Sequence, residues 1–273
     1  MGILDFFSKG GGKSGLRKQA QKVTEKYGPP ENRQKVIQQL AEMNTAEALS
    51  VLCLRFTIRA DPGITDDEEK ENVRQILVDA GDKAVGPVKE FLESHESGVS
   101  WGLRVLSALC PPADLVGTAL RLLHKLGREY SRDPEKKLVL LSWLAEHHGD
   151  ITSVVGGAAA TPASATAAET APATAQGGVP SLEDTLLPLF EDFSDDVRIT
   201  ATRALVSVAP GEQARDALIQ LLLRDRDNAR VRGEVLDALA TLGADVKGYR
   251  PTVEGLLVEP FFLDREGHVK KRG

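Results

Sequence analysis

Aromatic side chains are scarce in this chain: Phe, Tyr and Trp make up 5% of 273 residues. Apolar residues reach 41%, with Ala and Leu filling most of that share. This composition disfavours a sandwich or barrel, whose strands draw on β-branched and aromatic residues, and leaves closely packed helices. Cysteine is scarcer still. Cys53 and Cys110 lie far apart in apolar helical stretches, which excludes a disulfide scaffold and reads as two small buried thiols. No uncharged stretch is both long and apolar enough to span a bilayer. Residues 1–8 lack the basic start and long apolar centre of a secretory signal, so a cytoplasmic location is expected.

Charge is uneven. The net charge is −6, yet residues 1–40 carry eight Lys/Arg against Asp5, Glu25 and Glu31, giving +5 there and −11 over the remainder. Phosphate neutralisation needs a broad positive surface rather than one basic end on an acidic body, which places nucleic acid behind protein as the expected partner.

The chain exceeds the usual size of a single core, so it either divides into domains or stacks as an array. Helical punctuation recurs every 30 to 35 residues, the sign of an array. Val197-Arg198, Ala201, Ala204-Leu205 and Val208 correspond to Val231-Arg232, Val235, Ala238-Leu239 and Leu242, each shifted by 34. A second marker, proline before an apolar stripe, occurs at Pro87, Pro188 and Pro251. It predicts helix starts, where the missing N–H costs little.

These patterns resemble the HEAT-repeat family, most closely its short bacterial type, similar to the repeats of phycobilin lyases. The run Asp195-Asp196-Val197-Arg198 and Asp227 before Val231-Arg232 carry the likeness. The resemblance implies an all-α fold, an α-solenoid of about six helix pairs at 30–58, 64–94, 97–128, 133–194, 195–225 and 226–259. A pair of this kind cannot bury its own apolar face, so neighbours supply the core. The resemblance also implies that Asp196, Arg198, Asp227 and Arg232 tie adjacent pairs.

The organisation expected is a basic, aromatic segment and first helix over 1–28, repeats over 30–150, an insertion over 151–180, further repeats over 181–263 and a basic tail over 264–273. The insertion is rich in Ala, Thr, Pro and Gly, with too little bulky apolar surface to offset ordering entropy, and is expected to be disordered. Asp264 to Lys270 resembles the opening of a seventh repeat that stops short.

Ahead of the first helix, Ile3, Leu4, Phe6 and Phe7 would share one side of a helix with Asp5 opposite. Followed by Lys9, Lys13, Arg17 and Lys18, they read either as a cap docking on the first repeat or as an amphipathic edge for an anionic membrane. The second reading is supported by a likeness to the amphipathic start of a bacterial division regulator. The glycines of Lys9–Ser14 do not make a phosphate loop, because Phe7 stands where its first glycine belongs.

Catalytic relatives within the family impose requirements this sequence does not meet. Iron-holding members use paired His-Glu motifs; one such dipeptide, His95-Glu96, is present. Neighbours His147-His148 cannot form the i, i+4 pair that helical metal sites favour. DNA glycosylases of this type need a basic groove with aromatics, and Trp101 and Trp143 read instead as core. No metal, cofactor or catalytic residue is expected. The expected function is a non-enzymatic adaptor, cytoplasmic and with a second reading as peripheral at the inner membrane face, that binds a protein partner on its concave surface. Helix position alone nominates Lys89, Glu90, Arg121, Lys125, Gln220 and Arg224 for that surface. The alternatives are a membrane-recruited scaffold and a nucleic-acid-binding or repair module.

Overall fold

The computed structural model describes residues 13–61, 63–127, 129–147, 179–207 and 212–272. Among them are thirteen α-helices and one two-stranded sheet, an all-α fold of the α-solenoid type. The chain divides into two units, 1–115 and 116–273. Expectations for Ile3, Leu4, Phe6 and Phe7, and for most of the 151–180 insertion, lie outside the described residues.

The first unit holds α1 (Lys13–Val23), α2 (Pro30–Met43), α3 (Ala46–Cys53) with a 3-10 turn at Leu54–Thr57, α4 (Gly63–Asp79), α5 (Asp82–Ser94) and α6 (Val99–Leu109). Local chemistry sets these boundaries. Pro30 opens α2 where its missing N–H has no partner to lose, and Asn44 closes it in the left-handed conformation at φ 44°. Thr45 then caps α3 by accepting from the Ala48 N–H. First helices stack on first helices, α2 on α4 on α6, while α3 stacks on α5. The buried stripe between the rows includes Leu40, Leu52, Leu77, Leu92 and Leu106, all fully buried. Burying such a leucine contributes about 1.5–3 kcal/mol.

Helix α7 (Pro112–Leu126) crosses the division between the units. The second unit continues with α8 (Glu135–Glu146), α9 (Leu182–Leu186) running into a 3-10 turn at Leu187–Glu191, α10 (Asp195–Val206), α11 (Glu212–Arg224), α12 (Ala229–Leu242) and α13 (Arg250–Glu254). Here α8, α10 and α12 form one row, and the 3-10 turn, α11 and α13 the other. Val197 and Val231, Ala201 and Val235, and Leu205 and Leu239 are fully buried in equivalent places, which is the physical content of the 34-residue offset. Val208 lies outside the described residues.

Three expectations are corrected. Pro87 sits inside α5 rather than at its start; Pro188 and Pro251 do lie near the starts of their elements. Trp101 and Trp143 are half-buried at the edge of the packing, stacked on Phe56 and His147 respectively. Cys53 is sealed, whereas Cys110 is half-exposed.

The fourth correction concerns the end of the second unit. No seventh helix begins at Asp264. Instead β1 (Phe261–Leu263) pairs antiparallel with β2 (Val269–Lys271), Leu263 opposite Val269. The turn forms because the Asp264 side chain accepts from the Glu266 and His268 N–H groups at 3.0 and 2.9 Å while Gly267 adopts φ +93°. The hairpin packs on α12 with Val246 and Val269 fully buried, and Lys271 Nζ reaches Asp237 Oδ1 at 2.6 Å.

Candidate interaction surfaces

Charged side chains in this protein divide into those that hold helices together and those left facing solvent. In the first unit Arg33, Arg55, Asp66, Glu69 and Lys70 are all buried. Glu69 accepts from Arg33 through both carboxylate oxygens, at 2.9 and 3.1 Å, and from Arg55 Nε at 2.9 Å. Asp66 takes Arg55 Nη2 at 2.6 Å, the Ala60 N–H at 2.9 Å and Lys70 Nζ at 2.7 Å. Burial alone would raise the Asp66 carboxyl, but the bonds from Lys70, Ala60 and Arg55 outweigh it and hold the group below the usual carboxylate range. The cluster joins α2, the 3-10 turn after α3, and α4. With its lone pairs and protons satisfied, it is framework rather than a ligand site.

A polar ladder runs through the second unit. Arg198 donates to the Asp192 carbonyl and to Asp195 Oδ1, both at 2.5 Å. Its Nε lies 2.8 Å from Asp225 Oδ2, close enough for strong attraction although the N–H misses the oxygen. Thirty-four residues on, Arg232 makes the equivalent bond to the Arg226 carbonyl at 2.7 Å. Its Nε has no acceptor among the described residues, and Glu259, at the place equivalent to Asp225, is exposed. Outer pairs join α10 to α12: Asp196 with Arg230 at 2.6 Å and Arg203 with Glu234 at 2.6 Å. Asp227 stands outside this ladder, 94% exposed and 3.6 Å from its neighbour Arg226. Asp225, Asn228, Arg230 and Glu234 take part without having been singled out. Their only signal was a separation of 27 to 34 residues from a charged partner.

The residues nominated for the concave surface fall into two groups. Glu90 on α5 is exposed and Lys89 half-buried; Arg121 and Lys125 are exposed one turn apart on α7, with exposed His124 between them. Gln220 and Arg224 on α11 are already engaged. Gln220 donates to the Tyr249 hydroxyl at 3.4 Å, and Arg224 donates to the Phe190 carbonyl and pairs with Asp225. Between α7 and α8, exposed Tyr130 meets exposed Phe193 edge to face, centroids 5.6 Å apart.

The hairpin turn brings together Asp264, Glu266 and His268, with one ligand atom of each within 4.8 Å of the others. His268 Nδ1 lies 3.4 Å from Asp264 and 3.7 Å from Glu266. The His268 N–H holds the Asp264 carboxyl below its usual range, and the bonds from the Glu266 and His268 amides account for that side chain as a turn cap. The alternating spacing of the three is visible in the sequence, but a helix there would have turned Glu266 away from Asp264 and His268. Among the described residues no helix is long and apolar enough to cross a membrane.

Comparison with known proteins gives one family match. Residues 183–260, covering α9 to α13, match the model for HEAT repeats. No curated protein and no solved structure matches the chain. The matched stretch is the one that carries the 34-residue offset and the Arg198 ladder, and residues 183–260 belong to the HEAT-repeat family.

Proposed function

We propose that the chain is a non-enzymatic scaffold or adaptor, cytoplasmic, that binds a protein partner along the exposed sides of the second helices of its pairs. The observation that carries this reading is the HEAT-repeat match over α9 to α13, since repeats of this family generally mediate protein interactions. Stacked pairs present a long, shallow surface on which shape sets the fit, and charge sets register and association rate more than affinity. Arg121 and Lys125 suit this role best: both are exposed, and they stand one turn apart on α7. In the first unit Glu90 and Lys89 occupy the corresponding helix of their pair. Gln220 and Arg224 support the surface through Tyr249 and Phe190. No cofactor is required for this function.

Affinity capture of the tagged full-length chain from its native cells, with mass spectrometry, tests the reading. The comparison proteins are a copy beginning at Leu16 and an Arg121→Glu/Lys125→Glu variant. A stoichiometric protein retained by the first two and lost from the variant is the expected result. Retention of no protein, or equal retention by all three, would count against the α7 surface.

A further inference from the structure

Helix α1 has two unlike sides. Ala20 and Val23 are buried and Leu16 and Gln19 half-buried, whereas Arg17, Lys18, Gln21 and Lys22 are exposed. At 3.6 residues per turn the four exposed residues cover an arc of about 140°, so the outer side carries three cations and no carboxylate. Lys26 follows within a turn, beside the single acid Glu25. Among the described residues Arg17, Lys18, Lys22 and Lys26 make no ion pair. In the same unit Arg33, Arg55, Lys70, Arg74 and Arg104 each lie within 3.3 Å of a carboxylate.

The arrangement works against the helix in two respects, although Lys22 in the last turn suits the dipole. Lys18 and Lys22 are like charges at i, i+4, which repel. The first turn of α1 contains no acid to oppose the helix dipole. An external anionic surface would relieve both. Upstream in the sequence stand Ile3, Leu4, Phe6 and Phe7, and apolar side chains next to basic ones suit a lipid interface, where insertion and attraction act together. A nucleic acid offers no apolar layer for those side chains.

We propose that the outer side of α1 docks on the surface of an anionic lipid bilayer, with Arg17, Lys18 and Lys22 at the headgroups. This surface is separate from the α7 surface, and either can fail without the other.

The test is flotation of the full-length chain with phosphatidylcholine vesicles, with and without phosphatidylglycerol. The parent is compared with Arg17→Gln/Lys18→Gln/Lys22→Gln and with the charge-preserving Arg17→Lys/Lys18→Arg/Lys22→Arg. Binding should require the anionic lipid and weaken as salt rises. Removing three cations should weaken it roughly a hundredfold, and the charge-preserving variant should bind as the parent does. Absence of flotation at low salt overturns the proposal, as does flotation of the glutamine variant equal to the parent's. Tighter binding of duplex DNA than of vesicles, lost in the glutamine variant, would also overturn it by assigning the surface to a phosphate polymer.

Discussion

Arg33 and Glu69 meet as a two-point pair, Nε to Oε2 at 2.9 Å and Nη2 to Oε1 at 3.1 Å, with each side chain 2% exposed. The pair joins α2 to α4 across 36 residues, and Arg55 leans on the same carboxylate. Removing one partner from a buried pair leaves an uncompensated charge that water cannot reach. Glu69→Gln is therefore expected to destabilise the protein by about 3–5 kcal/mol, read from urea unfolding followed by circular dichroism. A loss below about 1 kcal/mol, the level of an exposed pair, would mean that water enters the cluster.

The same cluster sets a pH response. Asp66 has its carboxyl lowered in the folded state. The stability it contributes is therefore complete above the unfolded value, about 3.9, and is lost as pH falls through the lower folded value. Asp66→Asn should be less stable than the parent at pH 7, and the gap should narrow below about pH 4. Thermal midpoints across that range check this, and a gap constant with pH would contradict it.

Gly98 and Gly81 separate backbone strain from crowding. Both have positive φ, +77° and +61°. A Cβ on Gly98 would come 2.6 Å from the Phe56 carbonyl oxygen, whereas one on Gly81 would meet nothing within 4 Å. Gly81→Ala should cost about 1–3 kcal/mol for its backbone alone, since φ 61° with ψ −137° is a conformation that essentially only glycine adopts. Gly98→Ala should cost more, since the Phe56 backbone must also shift. Equal losses in denaturant unfolding would show that the contact is relieved cheaply.

Thiol chemistry should distinguish the two cysteines. Burial pushes Cys53 up to about 12 and also raises Cys110, but only Cys110 is half-exposed. A colourless aromatic disulfide reagent at pH 8 should titrate one thiol in the native protein and two in denaturant, with Cys110→Ser abolishing the native reaction. Reaction of both in the native protein would indicate local opening around α3.

Removal of the hairpin tests how the second unit ends. A copy stopped after Glu259 loses the buried Val269 and the Lys271–Asp237 pair. Amide exchange in α12 should accelerate most, and exchange in α2 should not change. Unchanged protection of α12 would mean that the hairpin is an appendage.

By itself the sequence determined the helical class and the repeat, because burial on one helix side is a local periodic property. Val197, Ala204 and Leu205 recur as Val231, Ala238 and Leu239 whatever surrounds them. Arg198 was legible as a tie by its place in that repeat. Its carboxylate partner from the following helix was not: Asp225, at the end of α11, faces it, while Asp227, closer to the motif, points to solvent. The buried cluster was invisible for the same reason, since Arg33, Arg55, Asp66, Glu69 and Lys70 each look like surface charges until three elements converge. At Asp264 the tertiary structure chose a hairpin over a seventh helix. There the apolar side of α12 and buried Val246 accept Val269, and this non-local burial outweighs a short helical pattern.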